Sequence, residues 1–156
     1  MISKSQLKQY SPESPTQTKK LGKMLAEKIL KSGPLKRAVV LGLIGDLGGG
    51  KTTFLQGLAR GLGIKQKILS PTFIIMRKSQ IPASQFLNLY HVDCYRIGNS
   101  KEILDLGFKE IVSGPQNIVA IEWADKIRKI LPRGSFVLKF EFIGRNKRRI
   151  TFQSPS

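Results

Sequence analysis

A chain of 156 residues, 40% of them hydrophobic, is one domain's worth: enough to bury a core, too little for two full domains. Its apolar runs are strand-sized, far below the roughly 20 residues of a membrane-spanning helix, and its single cysteine, Cys94, excludes an internal disulfide. Charge is the unusual quantity. Lys and Arg number 27 against 10 Asp and Glu, a net +17, and nine basic residues lie between Lys126 and Arg149 with only Glu141 to oppose them. Such an imbalance fits an anionic partner, RNA first among them. A generally basic proteome or a solubility device fits it too, because the charge is spread along the chain rather than gathered in one block.

The segment Met1–Gln17 is polar and rich in Ser and Pro, with no apolar stretch of signal-peptide type, so a cytoplasmic protein is expected. Residues 1–13 read as loosely ordered, and 14–156 as a single domain. Ser14-Pro15-Thr16-Gln17 has the form of a helix start, with Ser14 as N-cap, Pro15 in the first turn and Gln17 closing a capping box. Leu21, Met24, Leu25 and Ile29 then share one helical face, and Gly33-Pro34 ends the element. The run Ala38–Ile44 reads as a buried strand. A second helix from Thr53 carries Phe54, Leu55, Leu58 and Leu62 inward and stops at Gly63, while Gly57 and Gly61 leave a strip for close packing.

Further on, Ser70-Pro71 marks a turn, and strands are expected over Thr72–Met76 and Phe86–Val92. A short helix is expected from about Asn99 or Ser100 through Val112, a strand over Asn117–Ile121, and then a helix ended by Pro132. Phe136, Leu138, Phe140 and Phe142 alternate with Val137, Lys139 and Glu141, which predicts a half-buried strand. It returns through Gly144–Lys147 into Arg149–Phe152 as a hairpin. No internal repeat or low-complexity tract interrupts the chain. The alternation of strands and helices predicts a three-layer α/β domain with a mostly parallel central sheet and antiparallel C-terminal strands, and the loop Gly45–Thr52 makes it one of P-loop NTPase type.

Between the first long strand and its helix, Gly45-Asp46-Leu47-Gly48-Gly49-Gly50-Lys51-Thr52 spells the Walker A phosphate-binding loop. Glycines let the backbone curl so that successive N–H groups form a nest for phosphate oxygens, and the helix N-terminus adds its positive end. Lys51 is expected to reach the outer phosphates, and the Thr52 hydroxyl to ligate Mg²⁺. Such a loop needs an acidic partner at the end of a neighbouring strand. Ile118–Glu122 and Phe86–Asp93 both end in a carboxylate, and ligands gather at the carboxyl ends of parallel strands. The chain lacks an Asn-Lys-x-Asp guanine-reading motif, so ATP is expected over GTP.

At these residues the chain resembles the TsaE (YjeE-type) proteins, bacterial P-loop ATPases needed to make threonylcarbamoyladenosine in tRNA. The resemblance rests on Gly45–Phe54, Ser70-Pro71-Thr72-Phe73, His91-Val92-Asp93-Cys94-Tyr95-Arg96, Leu106-Gly107 and Glu122-Trp123, in that order, and covers about residues 14–152. It implies that the loop residues Gly45 through Thr52, with Thr53, hold ATP. It gives Thr52 and Glu122 to Mg²⁺, with Glu122 in the Walker B role, and Asp93 to the attacking water. Thr72 would face the terminal phosphate on a switch-like segment, Trp123 would lie beside the nucleotide, and Thr18 would contact the adenine side. His91, Tyr95 and Arg96 would shape the Asp93 loop, and Arg96 is a candidate arginine finger. The implied partners are TsaD and TsaB, with tRNA met directly or through the complex and no membrane involved. The other readings of the residues are a small-molecule P-loop kinase and a basic RNA-binding module with structural ATP.

Overall fold

The computed structural model describes residues 7–46, 48, 50–68 and 75–154. The elements run β1 (Leu7–Tyr10), α1 (Pro15–Ser32), β2 (Val39–Gly45), α2 (Lys51–Gly61), β3 (Met76–Gln80), β4 (Asn88–Asp93), α3 (Lys101–Leu104), α4 (Phe108–Ser113), β5 (Asn117–Glu122), a 3-10 turn (Ala124–Ile127), β6 (Phe136–Gly144) and β7 (Lys147–Gln153). They form an α/β fold on one mixed seven-stranded sheet, in the order β1-β7-β6-β2-β5-β4-β3. The centre, β6-β2-β5-β4, is parallel. β3 pairs antiparallel with β4, and β7 with both β6 and β1.

The centre of the sheet is buried on both faces, so β2 and β5 read as unbroken apolar runs rather than alternating ones. One face carries Leu41, Leu43, Ile118, Ala120, Leu138 and Phe140 against α1 and α2. The opposite face carries Val40, Val92, Val119 and Ile121 against Ile103, Phe108 and Ile127. Helix α1 starts where the sequence places it, with Ser14 Oγ accepting from the Gln17 amide at 3.1 Å. The Gln17 side chain accepts from the Glu13 amide at 2.8 Å, so the reciprocal arm of the cap lands one residue ahead of Ser14.

The glycine strip of α2 has a purpose. A Cβ on Gly57 would meet the Lys19 carbonyl oxygen at 2.0 Å, and one on Gly61 the Ala26 Cβ at 2.6 Å. Gly22 of α1 answers it, its Cβ position lying 2.2 Å from the Phe54 carbonyl oxygen. The two helices therefore meet backbone to backbone, and the buried face of α1 is Thr18, Gly22, Leu25, Ala26 and Ile29. Met24 lies off that face and is exposed.

Several expectations need correction. Residues 7–10, read as loosely ordered, form β1, because an edge strand needs only backbone partners on β7 and no apolar pattern. The hairpin partner of β4 is β3 over Met76–Gln80, beyond the expected Thr72–Met76 strand; residues 69–74, including Thr72, lie outside the described residues. β4 begins at Asn88 rather than Phe86. The expected 99–112 helix splits into α3 and α4 at Gly107, whose φ of +85 ends the first piece while Ile103 and Phe108 remain in one apolar cluster. After β5 a single 3-10 turn replaces a helix. Phe142 is 54% exposed, because the ladder is irregular between Phe142 and Gly144, past the end of the core.

Candidate functional site

β2 ends at Gly45 and α2 begins at Lys51, with Gly48 in a turn and Gly50 in a bend between them. Gly45 has φ +132, and a Cβ there would lie 2.0 Å from the Phe140 carbonyl oxygen, so this position admits glycine alone. Gly48 and Gly50 also have positive φ, +79 and +99. Asp46 is exposed beside them, and Leu47 and Gly49 lie outside the described residues.

Lys51 is buried, and its ammonium donates to the Gly45 and Asp46 carbonyls, both at 2.8 Å. Its Nζ lies 4.3 Å from the centre of a Trp123 ring. Burial lowers the Lys51 pKa below the ordinary lysine value, opposed by Glu122 first and then by Asp46, Asp125 and Asp93. The ammonium is thus held by backbone carbonyls, and its burial outweighs the attraction of the nearby carboxylates.

Parallel pairing brings the two predicted carboxylates side by side, since Asp93 and Glu122 are Cα partners on β4 and β5. Thr52 Oγ1 donates to Glu122 Oε1 at 3.3 Å, while Glu122 Oε2 lies 2.6 Å from His91 Nε2. Both His91 and Glu122 are buried, and His91 Nδ1 has no hydrogen-bond partner among the described residues. Asp93 is half-buried, and its Oδ1 accepts from the Tyr95 amide at 3.0 Å, which fixes the turn after β4.

Trp123 follows Glu122 with φ +57, a left-handed conformation costly for a bulky residue. That bend ends β5 at once and swings the indole over Lys51. The Tyr95 ring packs 5.0 Å from Trp123, and Lys126, 5.2 Å from the Tyr95 ring, donates to the Tyr95 carbonyl. Thr53 is half-buried in the first turn of α2, and Arg96 is exposed on the loop after β4. Thr18 is buried; its hydroxyl donates to the Ser14 carbonyl at 3.3 Å, and its methyl lies 3.6 Å from a Cβ position on Gly50. It therefore flanks the loop through its methyl.

The sequence reading missed two cations here. Lys126 and Arg148 touch the site, the latter donating from β7 to the Gly48 carbonyl at 3.0 Å. Arg148 stands in the basic run Lys147-Arg148-Arg149, and nothing local separates it from its neighbours.

Comparison with known proteins identifies the family. A family model described as "Threonylcarbamoyl adenosine biosynthesis protein TsaE" matches residues 12–150. The chain belongs to the TsaE family. A relative from Bacillus subtilis (strain 168), named tRNA threonylcarbamoyladenosine biosynthesis protein TsaE, is 40% identical over 139 residues, 89% of this chain and 80% of its own length. A Haemophilus influenzae protein of the same name is 31% identical over 136 residues, 87% of this chain and 82% of its own. The crystal structure of Bacillus subtilis YdiB superposes with a TM-score of 0.75 at 30% identity, covering 99% of this TsaE-family chain and 90% of the other. Among the described residues no helix is long and apolar enough to cross a membrane.

Proposed function

We propose that this chain is the ATP-hydrolysing component of the machinery that makes threonylcarbamoyladenosine in tRNA, acting with TsaD- and TsaB-type proteins to drive assembly or turnover of their complex. In this reading the single mixed sheet, β1 included, and its helices form one three-layer P-loop ATPase domain. The observation that carries it is the convergence of Lys51, Thr52, Glu122 and Asp93 at the carboxyl ends of adjacent parallel strands. Family membership supports the pathway, and the +17 charge suits a machine that handles tRNA, directly or through its partners.

The residues fit Mg²⁺ and a nucleoside triphosphate. Thr52 Oγ1 and Glu122 Oε1 are hard oxygen donors 3.3 Å apart. Mg²⁺ takes one or two such ligands and completes its shell with phosphate oxygens and water. Bound Mg²⁺–ATP would supply a polarised terminal phosphoryl group open to in-line attack by water. Lys51 and the amides of residues 45–52, with Thr53, offer positive charge to the phosphates, and the α2 N-terminus adds its dipole. Asp93, half-buried beside Glu122, orients the attacking water and accepts its proton. His91 holds Glu122 in place, Trp123 and Tyr95 cover the Lys51 side, and Thr18 flanks the loop on the side the family resemblance gives to the adenine.

Glu122→Gln and Asp93→Asn test this division of roles. Both lower turnover, but Glu122→Gln shifts the Mg²⁺ requirement upward, because an amide is a weaker ligand. Asp93→Asn leaves the Mg²⁺ curve in place and slows the chemical step by about 10²-fold or more. Superimposable Mg²⁺ curves for the two variants would contradict the assignment.

A further inference from the structure

Arg148 reaches the glycine-rich loop from the C-terminal hairpin. Its Nε donates to the Gly48 carbonyl at 3.0 Å, a contact spanning 100 residues of sequence. The rest of the side chain is held in place. Nη1 donates to the Gly144 carbonyl at 3.3 Å and the Lys147 carbonyl at 3.1 Å. The guanidinium carbon lies 4.6 Å from the centre of the ring of Phe142, its Cα partner across the hairpin. Its Cγ lies 4.0 Å from a Cβ position on Gly50, and its backbone N–H donates to the Pro12 carbonyl at 3.0 Å. The Phe142 ring, past the end of the core, is thus the surface on which the guanidinium rests.

A loop that offers N–H groups to an anion must turn its carbonyls elsewhere, and those carbonyls need donors. Glycine backbones at positive φ also carry the largest conformational freedom, which binding must remove. A charged donor already fixed on the Gly48 carbonyl removes part of that freedom before any ligand arrives. We propose that Arg148 is a positioning residue for nucleotide binding: braced by Phe142 and the hairpin carbonyls, it pins Gly48 so that the loop is set to receive phosphates. This rests on the reading of the loop as an ATP site.

The test measures Mg²⁺–ADP affinity by calorimetry and ATP turnover by phosphate release, in wild type and in Arg148→Ala, Arg148→Lys, Phe142→Leu and Arg145→Ala. Loss of a charge-assisted hydrogen bond that is the same in ground and transition states predicts a Kd and KM about tenfold higher for Arg148→Ala, with kcat within about twofold. Arg148→Lys keeps the charge without the planar fork and recovers only part of the affinity. Phe142→Leu, which removes the brace, weakens binding about threefold by loosening a single contact. Arg145→Ala takes the same charge from the exposed turn and leaves Kd within about twofold, as a screened surface charge should. Melting without ADP checks the fold, and if Arg148→Ala is misfolded the Lys and Phe142→Leu variants decide. Equal weakening by Arg145→Ala and Arg148→Ala would overturn the proposal in favour of net charge. Wild-type affinity retained in Arg148→Ala would overturn it while leaving the ATP site standing. A wild-type chain that binds no ADP would overturn the ATP reading itself, and this proposal with it.

Discussion

His91 and Glu122 form a buried pair, with Nε2 and Oε2 2.6 Å apart, and the other carboxylate oxygen of Glu122 accepts from Thr52. The two oxygens of one carboxylate are thus divided between β4 and α2. The imidazole fixes the direction in which the remaining lone pairs of Glu122 point.

Removing the imidazole strands that carboxylate. His91→Ala is expected to destabilise the chain by about 1–3 kcal/mol, the cost of leaving a buried polar group without its partner. Glu122→Gln in the same background should cost less than in wild type, with a coupling of about 1 kcal/mol. Urea unfolding of the two single variants and the double variant measures it. Strict additivity would mean that the pair has no energetic role.

The α1–α2 contact gives a prediction independent of function. Gly57→Ala places a Cβ 2.0 Å from the Lys19 carbonyl oxygen, a backbone atom that cannot swing away. Overpacking of this kind costs about 1–3 kcal/mol. Gly144→Ala, with nothing within 4 Å of its Cβ position, is the control and should stay within about 0.5 kcal/mol of wild type. Thermal or urea unfolding distinguishes them, and equal stabilities would refute the close helix contact.

Cys94 supplies a pH dependence. Burial first, then the neighbouring Asp93 charge, pushes its thiol up from 9.0 to about 12. A raised acid pKa means that above pH 9 the unfolded chain has lost a proton that the folded chain retains. Its stabilising contribution is therefore complete below pH 9 and declines as pH rises toward 12. The loss of stability between those limits should be shallower in Cys94→Ala than in wild type, and the folded thiol should resist alkylation at pH 8 until denaturant is added. Rapid labelling of the native chain would contradict the buried placement.

Much of this architecture was legible because it is written locally. The unbroken apolar runs of β2 and β5, the Ser14 cap and the glycines of α2 each carry their physical reason within a few residues. Asp93 and Glu122 were legible as strand ends, and parallel pairing then places them opposite one another. What escaped depends on partners distant in sequence. β1 is held by backbone pairing to β7, the split between α3 and α4 serves a shared apolar cluster, and Arg148 reaches Gly48 across the fold. A polar edge strand and one arginine among several have no periodicity to betray them.

Phosphate release from ATP by the purified chain, alone and with TsaD, TsaB and unmodified tRNA, decides whether this chain hydrolyses ATP and whether its partners accelerate it. Lys51→Ala serves as the reference, since Lys51 is the cation set within the loop and over Trp123. Slow, Mg²⁺-dependent release by the chain alone is expected, with acceleration when the partners are added and at least about a tenfold loss in Lys51→Ala, as for one charge-assisted contact to phosphate. Release by Lys51→Ala at the parent rate, or transfer of the phosphoryl group to a nucleoside or small metabolite in place of water, would contradict the proposed function.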